Sequence, residues 1–157
     1  MSESITVTVI GVPVAKARHR MVNGIAFTPK KTANWEAYAR MCATATMQGQ
    51  RARREPCELS VIAVFPVPKS WPGWKRDAAL NGEIRHTTKP DLDNILKAAK
   101  DALNGVVYAD DAQVTQTTMR KQYGTSPRVV IEVYPVSGCL PCQIKRRPGP
   151  QEQGALV

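Results

Sequence analysis

The sequence predicts a single α+β domain, a mixed and mostly antiparallel β-sheet packed with two main α-helices. Three stretches, at residues 5–9, 59–65 and 129–133, alternate apolar and polar residues with the period of a strand. Two others, after Thr28 and after Asp91, repeat apolar residues at helical spacing. The 157 residues, 43% of them hydrophobic, are enough for one domain with its own core.

The charge balance favours a polyanionic partner. The chain has 22 Lys and Arg against 13 Asp and Glu, a formal net charge of +9, which makes nucleic acid the first candidate. No apolar run is long enough to cross a bilayer, and the N-terminus lacks the pattern of a secretory signal. We therefore expect a cytoplasmic protein.

The first strand ends at the sequence Gly11-Val12-Pro13, and a basic segment follows it. Residues 14–31 contain no acidic residue and surround an Asn23-Gly24 pair that predicts a hairpin turn. Solvated surfaces usually mix both signs of charge, so we favour phosphate binding over a merely solvated face. The basic residues of the segment are Lys16, Arg18, His19, Arg20, Lys30 and Lys31.

The first helix is predicted from Thr28-Pro29 to Gly49, and the second strand ends at Pro66. The connection at 66–90 has no predicted secondary structure and interleaves Trp71 and Trp74 with cations. This pattern suits a surface that stacks on exposed bases, although the tryptophans could equally anchor the loop on the core. Its cations include Lys69, Lys75, Arg76, Arg85 and Lys89.

The second helix opens with the sequence K-P-D-L-D-N-I-L-K, residues 89–97. Asp91 or Asp93 can cap this helix, and its apolar residues form one stripe. Asp93 and Lys97 share the opposite face, four residues apart. For an isolated D-x-D motif, an ordinary amphipathic helix with a surface ion pair is the better explanation.

Geometry predicts that two further carboxylates meet this motif. A helix over 92–104 is about 20 Å long, and residues 106–111 would span roughly the same distance if they ran extended back along it. Asp110 and Asp111 would then lie beside Asp91 and Asp93. Such an all-oxygen cluster suits Mg2+ or Mn2+. The alternative for Asp110-Asp111 is an ordinary acidic turn.

The C-terminal part predicts a strand over 114–123, a turn over 124–127 and a last strand that forms a closing hairpin. Residues 1–136 would form the domain. Residues 137–157 are basic and rich in Pro, Gly and Gln, which predicts a disordered tail. The tail contains the pair Cys139 and Cys142, to which we assign no chemistry.

Two motifs together resemble a known family. The stretch K-P-D-L-D-N-I-L-K-A-A-K-D-A-L-N-G, followed by V-V-Y-A-D-D-A-Q-V, is similar to the signature of the RusA family of Holliday-junction resolvases, of the phage and prophage type. The resemblance extends more loosely over residues 7–134. It implies a dimeric, Mg2+-dependent endonuclease in which Asp91, Asp93 and Asp111 bind metal. It further implies that Lys97 is the essential lysine and that Asp110 is the neighbouring acidic position.

Residues and resemblance together predict a Mg2+-dependent, structure-selective endodeoxyribonuclease. It would resolve Holliday junctions by paired nicks in DNA recombination and repair, and act as a homodimer. The alternatives are a non-catalytic basic DNA-binding protein and a metal nuclease acting on flaps, RNA or other branched nucleic acids. The predicted DNA contacts are Lys16, Arg18, Arg20, Lys30, Lys31, Lys69, Lys75, Arg76, Arg85 and Lys89.

Overall fold

A computed structural model describes residues 3–18, 20–27, 29–136 and 138, and it confirms the predicted single α+β domain. Within these residues, three helices accompany a four-stranded mixed sheet and a separate two-stranded one. In chain order the elements are β1 Ile5–Ile10, β2 Arg20–Val22, β3 Ile25–Phe27, α1 Lys30–Met47, β4 Cys57–Pro66, α2 Gly73–Leu80, α3 Leu92–Leu103, a 3-10 turn Asp111–Gln113, β5 Val114–Gly124 and β6 Arg128–Pro135.

The main sheet has the order β1-β6-β4-β5. Strand β6 is antiparallel to both of its neighbours, and β5 is parallel to β4. Val7, Ile131 and Val61 face one another across three strands, and all three are fully buried. Helix α1 packs on β1 and on α3, and α3 packs on β4 and β5. The core therefore lies between the sheet and the pair α1 and α3.

The closing hairpin predicted for the last two strands is wrong, because β4 lies between β5 and β6. Strand β4 is a mostly apolar interior strand that pairs along both edges, and a short turn in the sequence does not reveal which strands it joins. The chain crosses the end of β4 at Gly124. A Cβ atom added there would clash with Cγ1 of Val64, which explains the glycine.

The hairpin predicted at Asn23-Gly24 is confirmed. Strands β2 and β3 pair through a two-residue turn in which Asn23 has φ 52° and Gly24 has φ 78°. Both positive values are typical of a type I′ turn. The connection at 66–90, in contrast, contains α2, which the sequence did not predict. Within α2 only Ala79 is buried, so its apolar pattern is too weak to reveal a helix.

None of the helices in the described ranges is both long and apolar enough to span a membrane. Cys139, Cys142 and nearly all of the predicted tail lie outside the described residues, as do His19 and Thr28. The division into a domain over 1–136 and a tail over 137–157 therefore stays a prediction.

Candidate active site

The mouth of α3, which we define as Asp91, Asp93 and Lys97, carries the most exposed part of the predicted site. Asp91 is the N-cap, with extended backbone, and its side chain forms no cap hydrogen bond. Asp93 lies in the first turn, where the helix dipole favours a negative charge. Both residues are exposed, and neither carboxylate has a hydrogen bond or ion pair with a described residue.

Lys97 follows Asp93 by one helical turn and is also exposed. Within the described ranges both ion pairs belong to Lys16, so the surface pair between Asp93 and Lys97 that a plain amphipathic helix would explain is not formed. Two carboxylates and an ammonium group therefore point into solvent at one end of a well-buried helix. Groups left in this state are available to a ligand.

The body of α3 holds this mouth in place. Five residues on one face are buried against the sheet and α1: Ile95, Ala98, Ala99, Ala102 and Leu103. The backbone N–H of Lys16 also donates to the carbonyl oxygen of Asn94 at 2.9 Å. The first turn of α3 is thus tied to the segment that follows β1.

The chain leaves α3 through a compact turn and does not run extended as the sequence predicted. Gly105 has φ 80°, and its N–H donates to the carbonyl oxygen of Tyr108 at 2.8 Å. Tyr108 is fully buried, and its hydroxyl donates to the carbonyl oxygen of Lys100 at 2.6 Å. Burial raises the pKa of Tyr108, so the hydroxyl keeps the proton that it donates.

Asp110 and Gln113 form a capping box on the 3-10 turn. Oδ1 of Asp110 accepts from the N–H of Ala112 at 3.0 Å, and Oε1 of Gln113 accepts from the N–H of Asp110 at 2.8 Å. Nε2 of Gln113 donates to the carbonyl oxygens of Arg53 and Glu55, each at 2.9 Å. Sequence reasoning missed Gln113, although the spacing D-x-x-Q is a signal for such a box.

Asp111 has its ionisable neighbours at the far end of α3. Its pKa is raised, first by burial and then by a hydrogen bond with Asp110; Asp101 also raises it, and Lys100 lowers it. Asp91 and Asp93 are not among these neighbours. Eight residues separate Asp93 from Asp101, which is about 12 Å along a helix axis.

The predicted convergence of four carboxylates is therefore not formed within one chain. Across the described ranges, no three His, Cys, Asp or Glu side chains are grouped closely enough to hold a metal ion. The oxygen donors of Asp91 and Asp93 nevertheless suit Mg2+, which is commonly bound by one or two carboxylates together with waters and substrate phosphates. The mouth of α3 meets that smaller requirement without Asp111.

Lys16 is not available as a DNA contact in this structure. Its ammonium group lies 2.7 Å from Oε1 of Glu36 and 2.9 Å from Oδ2 of Asp101. Burial lowers its pKa, but the hydrogen bonds to these two carboxylates outweigh that effect, so the pKa is raised. Lys16 thus joins α1 to α3, and we leave it out of the DNA surface.

Most of the other predicted DNA contacts are exposed cations. The side chain of Arg20 lies outside the described residues, and Lys75 is half-buried. The exposed ones are Arg18, Lys30, Lys31, Lys69, Arg76, Arg85 and Lys89.

The two tryptophans of the connection at 66–90 differ in role. Trp71 packs edge-on against Tyr123, with ring centroids 5.5 Å apart, and the ammonium of Lys75 lies 4.1 Å above its ring. Trp74 is 72% exposed on α2. Of the two explanations left open by the sequence, anchoring therefore applies to Trp71, and only Trp74 is free to stack on a base.

Comparison with known proteins agrees with the motifs. Residues 11–134 match the family Endodeoxyribonuclease RusA, which confirms the resemblance and covers both ends of α3. The uncharacterized protein YqaN of Bacillus subtilis (strain 168) is 36% identical over 141 residues, covering 86% of this chain and 99% of the relative. That name assigns no activity, so the functional information comes from the family. The chain belongs to the RusA family of endodeoxyribonucleases.

Proposed function

We propose that the chain is a divalent-metal-dependent endonuclease that resolves Holliday junctions by paired nicks, with its active site at the mouth of α3. Family membership implies a Holliday-junction-resolving endonuclease, a hydrolase that acts in DNA recombination. The observation that supports the site is the exposure of Asp91, Asp93 and Lys97 on a helix whose other face is buried, without partners among the described residues.

Asp91 and Asp93 would hold the metal ion, Mg2+ or, as a substitute, Mn2+. When bound, such an ion supplies Lewis acidity that lowers the pKa of a water and offsets the charge of a phosphate. Asp111 would be a third oxygen donor only after the turn Asp111–Gln113 moves toward the mouth, because it now neighbours Asp101. The family resemblance is the reason to keep Asp111 in the proposed set.

Lys97 would place its ammonium group beside the scissile phosphate and offset the charge that develops in the transition state. The exposed cations, Arg18 and Arg76 among them, would bind the DNA backbone in a salt-dependent manner. Trp74 would stack on a base exposed near the branch point. These contacts would position the branched substrate, while the mouth of α3 performs the cleavage.

Two copies of the chain would act together, in the cytoplasm of a bacterial or phage-infected cell. A four-way junction has two equivalent strands to cut, and a two-fold dimer presents two equivalent sites. The family resemblance supports this state.

The test compares wild type with Asp93→Asn on a labelled four-way junction and a matched linear duplex, each with Mg2+ and with EDTA. Symmetric nicks made on the junction alone, dependent on Mg2+ and lost in the variant while junction binding persists, are the expected result. Gel-shift measurements in EDTA report binding separately from cleavage.

A non-catalytic DNA-binding protein is the second candidate. The described part of a single chain has no three-ligand metal group, which favours this alternative. Wild type that binds the junction and never cuts it, with Mg2+ or Mn2+, would establish the alternative. Equal cutting of flaps or RNA would instead indicate a nuclease of another specificity.

A further inference from the structure

A lysine outside the predicted site holds the segment that leads into α3. Nζ of Lys121, near the C-terminal end of β5, donates to the carbonyl oxygens of Thr88 and Pro90, at 2.8 Å and 3.1 Å. Pro90 directly precedes Asp91. Hydrogen bonds from an ammonium group are stronger than those between neutral groups, so Lys121 holds these two carbonyl groups more strongly than a neutral donor would.

Apart from the ring contacts of His86 and a contact between its side chain and that of Thr88, the held segment has little to fix it. Between Ile84 and Asp91 no backbone–backbone hydrogen bond is formed among the described residues, and residues 85–90 belong to no helix or strand. Pro90 has no N–H, so its carbonyl is the backbone group through which it can be hydrogen-bonded. Lys121 therefore supplies hydrogen bonds to the backbone that a helix or strand would supply elsewhere.

The strand end that carries Lys121 is itself well anchored. Lys121 pairs in register with Ala63 of the interior strand β4. Tyr123, two residues later on the same face of β5, contacts the rings of Trp71 and His86. His86 in turn stacks on Phe65, with ring centroids 3.8 Å apart. The hydrogen bonds from Lys121 to the carbonyl groups of Thr88 and Pro90, which we call the clamp, therefore tie the mouth of α3 to the sheet.

We propose that Lys121 is a positioning residue that fixes Asp91 and Asp93 by holding the carbonyl groups of Thr88 and Pro90. This inference rests on the proposed function, since it concerns the same carboxylates. A displacement of a catalytic group by about 1 Å costs as much as 100-fold in rate, and loss of a residue that orients a metal ligand costs about 10- to 100-fold. Lys121 acts through the backbone and does not contact the substrate.

The experiment compares Lys121→Met, which removes the donors and keeps an unbranched side chain, with Lys121→Arg, which retains donors. Arg120→Met is the matched control, because Arg120 is exposed, carries the same charge and points to the other face of the strand. Single-turnover nicking of a four-way junction gives the rate, and gel shift in EDTA gives the affinity. Hydrogen exchange at the amides of Ile95 and Leu96 in metal-free protein reports the first turn of α3 without reference to activity.

For Lys121→Met we expect a nicking rate about 10- to 100-fold lower and a higher Mg2+ requirement, with junction affinity changed no more than in Arg120→Met. Exchange at Ile95 should be faster, and Lys121→Arg should restore most of the rate. The inference is overturned if Lys121→Met cuts as fast as Arg120→Met. A rate that falls only in proportion to affinity, or without faster exchange at Ile95, overturns it as well.

The experiment distinguishes failure of the proposed function from failure of the proposed role of Lys121. If wild type cuts no junction, the proposed function fails, while the exchange measurement still tests the clamp. If wild type cuts and the exchange at Ile95 is the same in all variants, the clamp fails and the proposed active site stands.

Discussion

The two ends of α3 use their charged residues in opposite ways. At the mouth, Asp91, Asp93 and Lys97 are exposed and form no ion pair within the described ranges. At the C-terminal end and the turn that follows it, which we call the exit, Asp101 is paired with Lys16 at 2.9 Å, and Asp110 caps the 3-10 turn. The same residue types thus stabilise the fold at one end and remain accessible at the other.

This difference indicates where a ligand can bind. A carboxylate with structural partners must give them up before it coordinates a cation, whereas an exposed one without partners gives up only water. Neighbouring like charges disfavour one another unless a cation lies between them, so two free carboxylates at one helix end favour cation binding. We therefore propose that cleavage takes place at the mouth, whereas the charged residues at the exit stabilise the fold.

The largest expected effect is on the nicking rate, which should fall in Asp93→Asn and not in Asp101→Asn. We expect Asp93→Asn to lower the single-turnover nicking rate about 1000-fold, since a proposed ligand to the proposed catalytic ion is lost. Its stability should stay within about 0.5 kcal/mol of wild type. Asp101→Asn should retain most of the rate and lose about 0.5–1 kcal/mol, a small cost because the ion pair is partly exposed. Loss of activity in Asp101→Asn alone would reverse the assignment of the two ends.

Gln113→Ala tests the structural role of the exit. The side chain is buried and joins the N–H of Asp110 to the carbonyl oxygens of Arg53 and Glu55. Its loss leaves these groups without their partner, and we expect the free energy of unfolding to fall by about 3 kcal/mol. Denaturant titration measures this value. Gln116→Ala, at an exposed position of β5, is the control and should change stability little.

Lys16→Met and Arg18→Met test the same distinction, between paired and exposed charges, on two neighbouring cations. Lys16 bonds Glu36 and Asp101, so its loss should cost about 1–2 kcal/mol of stability and leave junction affinity unchanged. Arg18 is exposed, and its loss should leave stability unchanged. The slope of log affinity against log salt should then fall by about 1 for Arg18→Met. Equal salt slopes for both variants would contradict this division.

The smallest effect concerns the segment before the mouth. Burial, and then the charge of Lys121, lowers the pKa of His86 from its ordinary value of 6.5. The unfolded chain therefore binds a proton that the folded chain resists, so this contribution to stability is complete above about pH 6.5 and is lost as the pH falls below it. His86→Phe, which retains an aromatic ring on Phe65, should flatten the dependence of melting temperature on pH between about 6.5 and 5. If the melting temperature of His86→Phe depends on pH as that of wild type does, the prediction is contradicted.

Sequence alone predicted the parts of the fold that local rules determine. The Asn23-Gly24 turn requires two positive φ angles, and the D-x-D motif opens a helix whose apolar stripe is regular. Features that depend on contacts between residues far apart in the chain could not be predicted from the sequence. The compact turn at Gly105 depends on the buried hydroxyl of Tyr108, and its sequence is equally compatible with an extended return. The pairing of Lys16 likewise depends on Asp101, far away in sequence.

The position of the proposed metal ion can be measured directly. Fe2+ substituted for Mg2+, with ascorbate and peroxide, generates hydroxyl radicals that cut the protein backbone beside the ion, and mass spectrometry of the fragments locates the cuts. If the ion binds at the mouth of α3, cuts are expected at residues 90–94 that disappear with EDTA and in Asp93→Asn. Cuts confined to residues 100–113, or no cuts beyond those seen with EDTA, would contradict an active site at the mouth of α3.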